Sequence, residues 1–443
     1  MRVQVVAKWA RNETLPPELP GFKRVAFQLL GTLNTGVGLR ELLDTVRSRG
    51  WSIPELAIDL ASLAFSVYAA DMGVPRRLSQ DSWTREISLD VPVSDLRPWE
   101  AARRTLTQLL NYLTGDRWFF TFRARDAAPD YNKNVDSSGT AECPTISLFS
   151  GGLDSLVGAI DVLAQENAHL LCISHAGDGV TSGVQHEILE DLKKKYPDQV
   201  EQLRVWYAPK SLLKDHATEK TTRGRSFLFF ATAAVAAATQ ASKKNPVKIL
   251  IPENGFISLN VPLDPLRLGA HSTRTTHPFV LQLWNDLLKS LELNVTLRNP
   301  YQFMTKGEMF KQCADKKLLK ELLPQTMSCS SPTKARWQGL PPQHCGHCVP
   351  CIIRRAAVQN AFGSDSTKYT VTFKKSVDPT TSEGRNVRAF QRAIAINRSK
   401  RVASIVVHSA GPLPREPEFA EIYMRGLTEV HKLVGDVVTK PRT

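Results

Sequence analysis

The stretch Ser150-Gly151-Gly152-Leu153-Asp154-Ser155 decides the fold of this chain. It follows the apolar run 145–149 and precedes a helical pattern at 156–163, so the local order is strand, glycine turn, helix. The glycines have no Cβ, so the backbone there can approach a charged group closely. Free N–H groups and the dipole of the helix start favour an anion at the same point. The stretch predicts a phosphate-binding loop; the alternative is a glycine turn capped by two serines.

The surrounding pattern predicts a Rossmann-like α/β domain. No Gly-Lys-Ser/Thr follows the glycines, and their spacing is not G-x-G-x-x-G, so the loop is neither a Walker A loop nor a dinucleotide fingerprint. Strand and helix patterns alternate over 144–325, which predicts a parallel sheet with helices on both faces. Ligands of such sheets bind at the carboxyl ends of the strands, where the loop lies.

Polar residues follow the other predicted strands or open the next helix. Arg225 starts an alanine-rich helix; it would bind a phosphate or carboxylate bidentately, or lie in a solvated basic loop. Glu253 and Asn254 follow the fourth strand, and Lys306 opens a helix after the fifth. We expect these groups to line a crevice at one edge of the sheet.

The polar run 271–278 permits two interpretations. It is a capped helix start with proline in the first turn, or a substrate loop that supplies Arg274 and His277. We favour the substrate loop.

A cysteine cluster predicts a metal site. Cys345, Cys348 and Cys351 are evenly spaced, and Cys329 lies upstream, so four soft ligands are available for tetrahedral Zn²⁺. An iron–sulfur cluster is the rival, and His344 or His347 could replace one cysteine. The other three cysteines, Cys143, Cys172 and Cys313, have apolar neighbours and are expected to be inert.

Composition sets broad limits on the protein. The chain has 443 residues, of which 42% are hydrophobic and 23% charged, as in globular proteins of two or three domains. Its N-terminus has no signal-peptide core, and the apolar run 227–238 is too short to span a bilayer. We therefore expect a soluble, cytoplasmic protein without a membrane partner. The net charge of +14 permits an anionic partner but specifies none.

Five segments are expected along the chain. An N-terminal α+β extension occupies 1–125 and a linker 126–143, before the nucleotide domain at 144–325. The cysteine cluster occupies 326–362, and a tail of two amphipathic helices occupies 363–443.

The order of these motifs resembles a known family. The Ser150 loop, the helix start at 224–226, the stretch 305–308 and the cysteine cluster resemble QueC, the 7-cyano-7-deazaguanine synthase family of PP-loop ATP pyrophosphatases, which have a HUP-type fold. The chain is more closely similar to the larger QatC-type proteins of bacterial anti-phage defence. The resemblance to QueC covers about 145–361.

QueC enzymes use ATP to adenylate the carboxylate of 7-carboxy-7-deazaguanine, and they then form an amide and a nitrile. The resemblance implies Mg²⁺ near Asp154, and catalytic roles for Asp154, Ser155, Arg225 and Lys306. Glu253 and Asn254 are expected at the base edge of the deazapurine, and Arg274 and His277 at its carboxylate. The residues implied in ATP binding are Ser150, Gly151, Gly152, Leu153, Asp154, Ser155 and Arg225, and those implied in zinc binding are Cys329, Cys345, Cys348 and Cys351.

The acceptor of the activated group stays open. The stretch 183–186 only loosely matches the QueC pattern, and the first cysteine spacer is longer, so ammonia and another amine are both candidates. A partner protein from the same defence operon is expected to dock on the appended parts; nucleic acid is not favoured. Two other functions are considered: a PP-loop enzyme that modifies tRNA, and a non-catalytic nucleotide-sensing subunit.

Overall fold

The computed structural model describes residues 1–10, 12–30, 38–125, 144–176, 178–220, 223–263 and 274–440. The predicted linker at 126–143 lies outside this part of the chain, as do Cys143 and residues 271–273 of the polar run.

The N-terminal unit is a parallel α/β unit, which corrects the expected α+β extension. Its four strands have the order β2-β1-β3-β4, and all neighbours are parallel. Parallel neighbours need a crossover, which α3 supplies between β3 and β4. The sequence assigned no strand order to residues 1–125, so the orientation of the sheet could not be inferred. The elements are β1 (Arg2–Lys8), β2 (Phe22–Gln28), α1 (Leu39–Arg47), α2 (Glu55–Gly73), β3 (Glu86–Val93), α3 (Leu96–Thr114) and β4 (Arg117–Ala124).

The second sheet confirms the predicted parallel α/β domain. Its order is β7-β6-β5-β8-β9, and every neighbouring pair is parallel. Connections change direction between β5 and β8, the switch point at which doubly wound sheets bind ligands. The elements are β5 (Thr145–Leu148), α4 (Leu153–Leu163), β6 (Leu170–Ala176), α5 (Gly179–Lys195), β7 (Val200–Trp206), α6 (Arg225–Ala238), β8 (Val247–Leu250), α7 (Gly255–Ser258), α8 (Pro278–Ser290) and β9 (Val295–Arg298).

Residues 363–440, the described part of the tail, contain three helices rather than the predicted two. The additional helix is α13, which buries only Ala403 and Val407, so its apolar signal in the sequence is short. The elements after β9 are α9 (Lys306–Gln312), α10 (Lys316–Leu322), α11 (Val349–Phe362), β10 (Ser376–Val377), α12 (Ser382–Ile396), α13 (Lys400–His408), α14 (Glu416–Val434) and β11 (Val438–Thr439).

The two large sheets share one hydrophobic core. Helix α2 packs against α6 and α3 against α8, so these helices lie between the sheets. Helix α2 is long and apolar enough to cross a membrane, but 89% of its apolar window is buried inside the protein. A second core on the opposite face of the β5 sheet joins α4, α5, α9, α10 and α11. The N-terminal unit is therefore packed directly onto one face of the second sheet's domain.

Candidate functional site

The glycine loop lies between β5 and α4, at the switch point of the sheet. Gly151 has φ of +79°, a left-handed conformation that favours glycine. The Ser150 and Ser155 hydroxyl oxygens lie 3.3 Å apart, and the Ser155 hydroxyl donates to the Gly152 carbonyl at 2.8 Å. Gly152 is the N-cap of α4 and has no side chain to cap it. Hydroxyl and N–H donors are thus grouped at one helix start, as an anion site requires.

Residues beside the loop hold it closely from two sides. A Cβ on Gly151 would lie 3.1 Å from Val184 and 3.2 Å from Gln185 of α5. The buried Gln185 amide donates to the Ser150 carbonyl at 3.4 Å, while its Oε1 has no hydrogen-bond partner in the described structure. On the other side, the N–H of Met327 donates to the Gly151 carbonyl at 3.0 Å. Gln185, in the loosely matching stretch 183–186, was not predicted as a site residue.

A buried ion pair joins the start of α4 to the start of α9. The Lys306 ammonium contacts Oδ1 of Asp154, and their side chains are only 4% and 7% exposed. Oδ2 of Asp154 accepts hydrogen bonds from the backbone N–H of Asn254 at 3.2 Å and from its Nδ2 at 2.7 Å. Burial alone would raise the pKa of Asp154, but Lys306 and these hydrogen bonds hold it below its usual value. Asp154 is therefore ionised, with donors on both oxygens.

Glu253 completes this cluster as a second buried carboxyl group beside Asp154. Burial and the charge of Asp154 raise its pKa well above the usual value, and a hydrogen bond links the two carboxyl groups. The amide of Asn254 is fully engaged: Nδ2 also approaches Oε1 of Glu253 at 3.2 Å, and Oδ1 caps α7 through the Ile257 N–H at 3.0 Å. Of the two residues expected at a base edge, Glu253 keeps only acceptor capacity, because its hydrogen bond to Asp154 uses its one possible donor. The cluster joins residues that follow three of the predicted strands.

The Arg225 side chain is held by His175 at the end of β6. The start of its helix, α6, also contacts the N-terminal unit. Nε of Arg225 donates to Nδ1 of His175 at 2.9 Å and its Nη2 to the His175 carbonyl at 3.0 Å. Burial and Arg225 lower the pKa of His175 to about 3, so the imidazole is neutral. The Tyr68 ring of α2 packs edge-on against His175, with centroids 5.7 Å apart, and Asp71 accepts from the Gly224 N–H at 2.7 Å.

Tyr68 and Asp71 were missed at the sequence level. Both are buried residues with polar groups on a largely apolar helix, and that pattern is the signal that could have identified them.

Arg274 and His277 contact helix α3. The Arg274 guanidinium lies 4.3 Å from the Tyr112 ring centroid and donates to the Tyr112 carbonyl at 3.1 Å. His277 is fully buried and is the N-cap of α8, accepting from the Phe279 N–H at 3.2 Å. None of their described contacts is with the Ser150 loop or the Asp154 cluster. The capped-helix interpretation thus describes His277, and a substrate role for the two residues stays a prediction.

The four predicted cysteines form one cluster. Their sulfur atoms all lie within 4.8 Å of one another, with Cys329 and Cys348 4.0 Å apart and Cys345 and Cys351 3.9 Å apart. Thiolates bound ~2.3 Å from one tetrahedral zinc ion stand ~3.8 Å apart, so the cluster could hold Zn²⁺.

Backbone donors support the cysteine cluster. The N–H groups of Ser331 and Cys345 each lie 3.3 Å from the Cys329 sulfur, which suits a thiolate. The alternative ligand His344 instead accepts from the Ser328 N–H at 3.2 Å. The Ser328 hydroxyl in turn accepts from the Leu153 N–H at 3.4 Å, so the segment that carries Cys329 contacts the end of the glycine loop.

Comparison with known proteins gives no further guide to this site. Neither a protein-family model nor a curated protein nor a solved structure matches the chain.

Proposed function

We propose that the chain is an ATP-dependent enzyme of the PP-loop pyrophosphatase type that adenylates a carboxylate and releases AMP and pyrophosphate. The observation that carries this proposal is the buried Asp154–Lys306 pair in the first turn after the glycine loop. A buried ion pair is costly, so its place at the switch point, beside a set of anion donors, favours a functional role.

The residues around the loop divide the work of binding and charge stabilisation. The hydroxyls of Ser150 and Ser155 and the N–H groups around Gly151 and Gly152 would bind phosphate oxygens. Lys306 supplies the fixed positive charge that a Walker lysine supplies elsewhere, and Asp154 orients its ammonium. Arg225, oriented by neutral His175, would bind a second oxyanion. ATP would supply an adenylyl group to one carboxylate oxygen, and that oxygen would then leave as part of AMP. Mg²⁺ would neutralise phosphate charge, with Asp154 near it.

The substrate that best fits the proposal is a 7-deazaguanine carboxylate, as the resemblance to QueC implies. The Glu253 carboxyl group directs its hydrogen bond at Asp154, and its oxygens would still accept from an N–H group at the edge of a purine-like base. The acceptor would be an amine, from ammonia or from a partner protein of an anti-phage defence system. Zn²⁺ on the cysteine cluster has a structural role in this scheme, because the cluster provides four protein ligands and no open position.

A tRNA-thiolating enzyme is disfavoured by the remaining described cysteines. Cys172 and Cys313 are buried, and burial raises the pKa of both thiols, that of Cys313 to about 12. Neither is therefore a ready nucleophile.

Isotope transfer tests the proposed reaction. The full chain is incubated with ATP, Mg²⁺, ammonia and 7-carboxy-7-deazaguanine labelled with ¹⁸O in its carboxylate. Adenylation followed by attack of the amine leaves one carboxylate oxygen on AMP, so one ¹⁸O should appear in the AMP by mass spectrometry. Unlabelled AMP would contradict adenylation of this carboxylate. A parallel reaction with neighbouring-gene proteins, read by intact mass, shows whether a protein rather than ammonia is the acceptor.

A further inference from the structure

The C-terminal tail reaches the helix start that carries Lys306. The carboxylate of Glu429, on α14, accepts a hydrogen bond from the Thr305 hydroxyl at 2.8 Å and another from the Gly307 N–H at 3.1 Å. These two residues flank Lys306 in the chain. Glu429 therefore binds the side chain before, and the backbone after, the residue whose ammonium contacts Asp154.

The surroundings of Glu429 are built for this contact. A Cβ on Gly307 would overlap its carboxylate, so the close approach needs a glycine there. Nδ2 of Asn360 donates to Glu429 at 3.3 Å, while Oδ1 of the same side chain accepts from the Lys432 ammonium at 3.0 Å. The Thr305 hydroxyl also accepts from the Glu308 N–H, which completes the capping box of α9. Each polar group of the network has a defined partner.

Burial of the Glu429 carboxyl group costs more free energy than burial of an apolar side chain at the same place would. Glu429 is 6% exposed, and among the described residues its hydrogen-bond donors are all neutral groups. Burial raises the pKa of its carboxyl group, and three donors oppose that rise. An apolar side chain would fill the space at lower cost, so the position of the carboxylate needs another reason.

The same helix also contacts the loop that carries Asn254. A Cβ on Gly255 would lie 3.0 Å from Ile422, and the rings of Phe256 and Tyr423 have centroids 5.7 Å apart. Helix α14 thus touches the segments after both β8 and β9. We propose that Glu429 is a positioning residue that fixes the start of α9 so that Lys306 faces Asp154, and that the tail is part of the catalytic unit. This rests on the proposed function only in treating Lys306 as a working group of the site.

The test compares Glu429→Gln and Glu429→Asp with Glu421→Gln in the full chain. Glu421 lies on the same helix but is exposed and pairs with Lys400, so it controls for a charge change on α14. The first readout is the rate at which an amine-acylating reagent modifies Lys306 without nucleotide, measured by peptide mass spectrometry. Exposed Lys311 on α9 is the internal reference. The second readout is kcat and KM for ATP-dependent AMP formation.

Both Glu429 variants weaken the hydrogen bonds from Thr305 and Gly307. The rate of Lys306 modification should therefore rise about tenfold or more, while the rate for Lys311 stays unchanged. We expect kcat to fall about tenfold, with less than about a threefold change in KM for ATP. If either folded variant keeps wild-type Lys306 reactivity, the proposal is wrong; Glu429→Asp carries the test if the glutamine variant is insoluble. If the wild type forms no AMP, the proposed function fails, and Lys306 reactivity still decides the role of Glu429.

Discussion

Replacement of Lys306 by methionine should destabilise the protein strongly. Methionine keeps an unbranched side chain of similar length but leaves the Asp154 carboxylate buried without its cation. The two side chains are 4% and 7% exposed, so solvent screens the pair little. Removing one partner of such a pair costs roughly 3–5 kcal/mol, and the Asn254 hydrogen bonds that remain favour the lower figure. We expect Lys306→Met to lower the free energy of unfolding by about 3 kcal/mol at pH 7.

The loss should shrink as the pH falls from 7 to 5. In the wild type the pKa of Asp154 is below its usual value, so its stabilising contribution is present above about pH 4 and is lost only at more acidic pH. In the variant, burial raises that pKa without opposition from Lys306. The folded variant then binds a proton more readily than the unfolded chain does, and it gains stability relative to the wild type as the pH falls.

Urea unfolding at pH 7 and pH 5 measures both effects. Lys311→Met, an exposed change on the same helix, is the matched control and should cost less than about 0.5 kcal/mol. The double variant Asp154→Asn/Lys306→Met should recover part of the loss, because no buried charge is left. A loss below about 1 kcal/mol, or one that is the same at both pH values, would refute the buried pair.

Three further predictions concern the metal, the glycine loop and Arg225. Elemental analysis should find about one zinc ion per purified chain. Cys348→Ser should lose both the zinc and the yield of soluble protein, while Cys313→Ser keeps both. Iron with acid-labile sulfide would instead indicate an iron–sulfur cluster. Gly151→Ala should lower the free energy of unfolding by about 1–2 kcal/mol and weaken ATP binding in calorimetry. The control Gly339→Ala, at a φ of +68° in open space, should lose similar stability from backbone strain but keep its ATP affinity. Equal ATP affinity in both variants would contradict the loop assignment. Arg225→Lys cannot donate to two His175 atoms in one plane and should raise KM for ATP about tenfold or more; an unchanged KM would remove Arg225 from the site.

The sequence predicted the local order around the site because glycines, strand ends and helix starts have short-range signals. The alternation predicted over 144–325 is present as the five-stranded second sheet, and Asp154, Asn254 and Lys306 come together as polar residues after its strands. The cysteine spacing also predicted the cluster, because three of its ligands lie within seven residues. On the tail, Val387 and Phe390 of α12 are fully buried, as the predicted amphipathic helices require.

Long-range contacts could not be read from the sequence. Glu429 meets Gly307 across more than a hundred residues, and Asp71 reaches Gly224 from another unit of the chain. No local pattern records such pairs. The parallel N-terminal sheet was missed for a related reason: β1 pairs with both β2 and β3, and β3 packs on α2, so the strand order depends on tertiary packing rather than on alternation within one strand.

The products of ATP turnover test the central claim most directly. The full chain is incubated with ATP, Mg²⁺, ammonia and 7-carboxy-7-deazaguanine, with Asp154→Ala as the inactive comparison, and the products are resolved by ³¹P NMR. We expect AMP and pyrophosphate in equal amounts from the wild type and neither from the variant, because a loop of this kind should direct cleavage between the α- and β-phosphates. Release of ADP and phosphate by the wild type would contradict the account.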